Sequence, residues 1–279
     1  KGNALYADFI DPDEPEVSWE VRKQKISKAE KQKEQLALNH IILSPQGSLA
    51  EFKKIDQLWE TLEAAVAECG MEEEREELMQ TLAEPGFWER DDRFPFLTDL
   101  EMIDRFREAI DSASSWRDRL QPDEKERLSY PAELIGRLAD RLRLLQLSLT
   151  AYLDDVPQQA VMRIDLPQSL AESPQGQRYF EHLVEMYQHW AKERSIPFER
   201  YAASKESNQQ VILVCRGLAA WQLLEQEAGL HVWEHLEGKK KVKSALRVDV
   251  LPILPEHARY EGYQDWNSLF YQQEASPQI

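Results

Sequence analysis

The sequence predicts an α+β protein, an N-terminal antiparallel helical bundle followed by a small mixed α/β sandwich. Three observations lead there. Between Ile55 and Tyr152 the apolar residues recur at the helical period, one face at a time. After Pro157 the texture changes to short segments that alternate or are continuously apolar. The order beyond that point reads β-α-β-β-α-β-β, strands and helices interleaved behind a run of helices.

Residues 1–50 read as a hairpin and helical linker, the end of a preceding domain. ALYADFID and EVSWEVR, within residues 4–22, are short strands joined by PDEP. Residues 26–40 are a polar helical segment, and SPQGS at 44–48 is a loop that suits a linker. The bundle occupies residues 51–157. Ile55, Leu58, Trp59, Leu62, Val66 and Cys69 form its first apolar stripe, and Gly70 ends that helix. Residues 72–83 make a short acidic helix, whose run from Glu72 to Glu77 is a solvated face or a dock for a basic partner. EPGFWERDDRFPF breaks the pattern with Pro85, Gly86 and Pro95. The next helix carries Leu100, Ile103, Phe106, Ile110, Ala113 and Trp116. A loop with a helical turn spans 121–131, and the last long helix carries Leu134, Leu138, Leu142, Leu145, Leu149 and Tyr152. Each stripe covers one face, so the helices must pack on one another.

The α+β part occupies residues 158–254. AVMRIDL (160–166) alternates like a strand. Ser173 is an N-cap with Pro174 behind it, and the helix they open shows Phe180, Leu183, Val184, Tyr187, Trp190 and Ala191 on one side. FERYAAS (198–204) and QVILVCRG (210–217) are strands, and VILVC within the second is continuously apolar, as a central strand is. AAWQLLEQEAG (219–229) is a helix ended by Gly229. LHVWEHL and SALRVDVLPI then alternate like strands on either side of EGKKKVK, a hairpin with a lysine-rich tip. Residues 255–279 are an extension, rich in Tyr, Trp and Gln, with no clear period.

Several of these segments together resemble the bacterial class-I peptide chain release factors. IDQLWETLEAAVAE with EEEREELMQTLAEPGFWERDDRF resembles the start of that family, where a helical pair runs into P-x-x-W-x-x-x-x-R. VMRIDLPQSLAESPQGQRYFEHLVEMYQHWAKERS resembles the start of its second domain, with Met186, Tyr187, Trp190 and Ala191 on the M-Y-x-x-W-A positions. Gly217, Ala220, Leu224, Glu227, Gly229 and His231 match the element that follows, and Val248, Val250 and Pro252 its closing strand. The similarity covers about residues 55–254, the PCRF region. No GGQ sequence, which carries the family's ester hydrolysis, occurs here, and the family's codon-reading tripeptide is replaced by EGKKKVK. The resemblance therefore implies a release-factor-like body without its two working tips, docking on the ribosome, its rRNA or a ribosome-associated protein. PCRF-like segments also end larger chains, and the hairpin at 4–22 is similar to the last hairpin of a Clp-type small ATPase domain. That likeness implies an AAA+ unfoldase in the same full-length chain.

HVWEH at 231–235 matches the H-x-x-E-H zinc signature. Zinc hydrolases place both histidines on one helix. Here Gly229 has just ended a helix, and on a strand the two histidines would stand about 13 Å apart, so a zinc hydrolase is the remotest of the readings. Lys239, Lys240, Lys241 and Lys243, with Arg247, form the dense basic cluster of the chain. They suit a solvated tip that resists edge pairing, a contact with RNA phosphates, or an adaptor surface for an acidic protein partner.

Composition narrows the partners further. The chain has 279 residues, 42% hydrophobic and 30% charged, with 34 Lys and Arg against 51 Asp and Glu, a net charge of -17. Such a chain repels phosphate backbones at long range, so any nucleic-acid contact must be local. Cys69 and Cys215, far apart and in apolar patterns, read as two buried thiols of a reducing, cytoplasmic protein. No apolar run nears the ~20 residues of a membrane span, and no signal peptide is recognisable. The opening Lys1 leads us to expect part of a longer protein. No Ser-His-Asp set, phosphate loop or paired-carboxylate site stands out, so no catalytic residue, metal, cofactor or small-molecule substrate is expected.

Overall fold

The computed structural model describes residues 37–121, 129–202, 210–237 and 240–275. The hairpin expected at 4–22 and most of the helix expected at 26–40 lie outside them. Five helices come first: α1 (37–43), α2 (Leu49–Glu68), α3 (Met71–Leu82), α4 (Arg93–Leu120) and α5 (Ala132–Leu153). One core joins them. Ile55, Trp59 and Leu62 of α2 meet Ile103 and Phe106 of α4 and Leu138, Leu142 and Leu145 of α5. Each fully buried leucine contributes about 1.5–3 kcal/mol through loss of contact with water, and this apolar seam holds the bundle.

The helix starts follow from local chemistry. Ser48-Leu49-Ala50-Glu51 is a capping box. The Ser48 hydroxyl accepts from the Glu51 amide at 3.2 Å, and the Glu51 carboxylate accepts from the Ser48 amide at 2.8 Å. The loop at 44–48, expected as a linker, is fastened at its other end as well: the Tyr130 amide donates to the Gly47 carbonyl at 2.8 Å, and Phe52 stacks on Tyr130 at 4.6 Å. Partial burial pushes the Glu51 pKa up, but hydrogen bonds from Ser48, Gln46 and Gly47 outweigh it, and the net shift is downward. A carboxyl depressed on folding stabilises above its unfolded pKa of about 4.3 and loses that contribution as the pH falls through its lower folded value. Glu51→Gln should therefore lower the thermal midpoint at neutral pH, and the gap from the native chain should close in acid. Ser48→Ala should cost about 1 kcal/mol at neutral pH.

The acidic helix α3 is only partly solvated. Met71 and Leu78 are buried, Arg75 pairs with Asp104 at 2.6 Å, Glu72 with Arg107 at 2.8 Å, and Glu74 accepts the Tyr152 hydroxyl. Burial and that bond raise the Tyr152 pKa. In the break that follows, Phe87 turns inward and Trp88 outward. Helix α4 begins at Arg93, earlier than its stripe suggests, because Pro95 falls in the first turn, where its missing N–H has no helical partner to lose.

The sheet has strands β1 (Ala160–Asp165), β2 (Phe198–Ala202), β3 (Gln210–Cys215), β4 (Gly229–Glu237) and β5 (Lys240–Pro252), in the order β2-β3-β1-β5-β4. All four pairings are antiparallel, so the sandwich is mixed in its layers and not in its strand directions. Short α6 (Gln168–Ala171) leads into α7 (Pro174–Glu193), capped by Ser173 with Pro174 in the first turn. Phe180, Leu183, Val184, Tyr187 and Ala191 of α7 cover one sheet face, over Met162, Leu213, Leu246 and Val248. The helix expected at 219–229 is shorter. It comprises α8 (Ala220–Leu224) and a 3-10 turn at Glu225–Glu227.

The extension supplies a third layer. Helix α9 (Gly262–Ala275) sets Trp266, Leu269 and Phe270 on the opposite sheet face, against Val161, Ile212, Val214, Leu251 and Ile253. This explains why β3 is apolar at every position from Val211 to Cys215. Under α9 lies Arg163, only 5% exposed. It is bonded to Asp249 at 2.8 Å, paired with Asp165 at 3.3 Å, and its guanidinium sits 4.8 Å from the centre of the Phe270 ring.

Candidate functional site

The β4–β5 hairpin carries the lysine cluster. Its register is unbroken from Gly229↔Val248 to Glu237↔Lys240. The seven-residue loop expected at EGKKKVK is therefore mostly strand, with only residues 238–239 between the paired ends. Alternation explains it. Lys241, Lys243 and Arg247 share one face with Ala245 and Asp249, while Ser244, Leu246, Val248 and Val250 are buried on the α7 side. At the usual rise, Lys241 and Lys243 are about 7 Å apart along the strand, and Arg247 is about 20 Å from Lys241.

These cations are not equivalent. Lys239 lies outside the described residues. Lys240 is placed by its backbone opposite Glu237, and Lys241 is exposed opposite Leu236. Lys243 pairs with Glu234, its cross-strand neighbour, at 2.7 Å. Arg247 pairs with Asp249 at 2.8 Å, and Asp249 is shared with Arg163. Exposed pairs of this kind hold by no more than about 1 kcal/mol, so competing phosphates or carboxylates can displace them. On the same face Leu230 is 71% and Val232 56% exposed. Sequence reading missed both, because the alternation of LHVWEHL does not say which of its faces is covered.

The opposite face of β4 carries His231, Trp233 and His235 of HVWEH. His231 Nε2 lies 2.9 Å from the Glu227 carbonyl, with its ring at the edge of Tyr187. His235 stacks on Trp233 at 4.4 Å, and Trp233 stacks on Tyr179 of α7 at 5.2 Å. The strand thus holds the two imidazoles on either side of an indole ring, and Glu234 points to the other face, toward Lys243. That geometry cannot close on one zinc ion. Among the described residues no group of three or more His, Cys, Asp or Glu could hold a metal. The aromatic ladder fastens the hairpin to α7.

Tyr187, expected in the core, is buried there and donates to Glu227 at 2.8 Å, and burial followed by that bond raises its pKa. Trp190 is partly buried beside it. Cys215 is a buried thiol whose pKa burial pushes up to about 12, whereas Cys69 is only half-buried, its thiol on the Val66 carbonyl at 3.1 Å. Among the described residues no helix is long and apolar enough to cross a membrane.

No family model and no curated protein matches the chain. Among solved structures, RF2 of Thermus thermophilus, a release factor, is similar over 74% of this chain and 62% of that one, with 16% sequence identity and a TM-score of 0.34. The chain thus spans less than two thirds of the length of that structure. The likeness is distant and one of fold alone. The α+β class rests on the elements and pairings described above.

Proposed function

We propose that the chain is a non-catalytic, release-factor-like module of a larger cytoplasmic protein. It docks on the ribosome, or on a ribosome-associated partner, through the outward face of β4 and β5. The observation that carries this reading is the alignment of Lys241, Lys243 and Arg247 on one uncovered strand face of a chain with a net charge of -17. Lysines there add sequence-independent attraction to phosphates and none of the shaped hydrogen bonding that codon reading needs. Replacing Lys239, Lys240, Lys241 and Lys243 by Glu should abolish co-sedimentation with ribosomes at low salt. The native chain should itself dissociate as salt rises, each phosphate contact contributing roughly 0.7–0.9 to the log–log slope. Equal pelleting of native and variant chains would sink the reading.

A protein–protein adaptor is the second reading, and Leu230 and Val232 favour it. Phosphate backbones have no use for exposed aliphatic side chains, whereas a protein partner buries them. Under that reading, which has no RNA contact, Val232→Asp abolishes partner binding, and replacing the four lysines by Glu changes nothing in ribosome co-sedimentation.

A further inference from the structure

A second basic site lies away from the hairpin. A pocket of about 210 Å³ opens between α4, α5 and the turn after α7, with Arg105, Arg141 and Arg194 in its wall beside Ser112 and Ser195. Two of the arginines have counter-ions: Arg105 pairs with Glu101, and Arg194 with Asp140 at 3.0 Å. Arg141 differs. Among the described residues it has no hydrogen bond and no ion pair, and its guanidinium rests 5.5 Å from the centre of the Trp116 ring. Loss of water around it lowers its pKa, with Asp140 only partly compensating. A guanidinium does not give up its proton in a protein. Its charge therefore stands in a half-dry wall with five N–H donors to satisfy. Glu108, exposed at the rim, is the one carboxylate of the pocket lining, and Glu101 and Asp140 lie behind it on Arg105 and Arg194.

We propose that this pocket binds a phosphate-class oxyanion, with Arg141 gripping two oxygens through its planar fork and Arg105 and Arg194, each already held by a carboxylate, offering their remaining N–H donors from the wall. The fork geometry of guanidinium suits two oxygens of one phosphate. The volume leaves room for the stem of whatever small molecule carries the group. The site is independent of the hairpin, since neither needs the other to be occupied.

The test is thermal unfolding of the full chain with inorganic phosphate, and separately with glycerol 3-phosphate, against chloride at matched ionic strength. Either phosphate should raise the midpoint saturably. A larger rise with the monoester assigns the site to a phosphoester, and equal rises assign it to free phosphate. Arg141→Met should abolish the rise while leaving the midpoint in chloride equal to or above that of the native chain, because it removes a half-buried charge that makes no hydrogen bond and no ion pair among the described residues, and keeps the apolar stem. Arg141→Lys, which keeps the charge and loses the fork, should weaken binding by about tenfold or more. No saturable rise in the native chain, or a rise that survives in Arg141→Met, overturns the proposal.

Discussion

Replacing Trp266 with alanine is expected to destabilise the chain by about 3–5 kcal/mol and to release α9 from the sheet. Trp266 is fully buried at the centre of the layer formed by Val161, Ile212, Val214, Leu251 and Ile253. Tyr260 packs on its ring at 5.4 Å and the Arg216 guanidinium at 5.1 Å. The indole is the largest side chain of that layer, and no neighbour can fill the space it leaves without lifting α9. Once α9 lifts, Arg163 loses the Phe270 ring beneath which it is buried, and an apolar sheet face meets water. Urea unfolding reads the loss of stability, and limited proteolysis within 262–275 reads the release. A variant within about 1 kcal/mol of the native chain and resistant to protease would show that α9 does not complete the core. The neighbouring exposed Tyr271, replaced by phenylalanine so that its ring stays by Arg163, serves as the control that should leave both readouts alone.

The second large effect is expected at Gly47. Its φ of +67° lies in the left-handed region, and an added Cβ would stand 2.1 Å from the Tyr130 carbonyl oxygen. Both partners in that collision are backbone, so no rotamer change relieves it. The loop would have to part from Tyr130, giving up the 2.8 Å bond and disturbing the Phe52–Tyr130 stack. Left-handed strain of about 1–2 kcal/mol and a lost buried hydrogen bond of about 1–3 kcal/mol point to a total of about 2–5 kcal/mol for Gly47→Ala. Gly70 separates the two contributions. Its φ is +78°, and nothing lies within 4 Å of a Cβ built there. Gly70→Ala should therefore show the strain alone, about 1 kcal/mol. Equal losses at the two positions, measured by chemical denaturation, would mean that the approach to Tyr130 does not matter.

The helices of the bundle were legible because each buries one stripe, and a stripe of Ile55, Trp59 and Leu62 has a single physical solution. Their ends were less so. Pro95 reads as a breaker until its place in a first turn is known, and SPQGS reads as a linker until Tyr130 is seen to hold it. The hairpin was legible as a hairpin, but its length was not. A run of lysines resembles a loop, although K-V-K-S-A-L also alternates, and the ladder shows the alternation to be the stronger signal. Helix α9 left two traces. Trp266, Leu269 and Phe270 are spaced as one helix face, and the uninterrupted apolar run from Val211 to Cys215 requires cover on both sides. Neither trace stands out in a segment crowded with Tyr and Gln. The ion pairs Lys243–Glu234 and Arg247–Asp249 depend on which residues the register places side by side, and the unpaired state of Arg141 depends on three elements meeting. Sequence order alone does not carry either.

The position of β1 governs the order in which the protein can assemble. The bundle closes through contacts between successive helices, which form early and quickly. Strand β1 lies between β3 and β5, and its last partner, Pro252 opposite Ala160, follows it by 92 residues. During synthesis the helices of the bundle therefore precede a half-built sheet in which β1 can pair with β3 while its other edge waits for β5. The interval before residue 252 emerges is the period in which the nascent chain is most exposed to misassociation and to capture by chaperones.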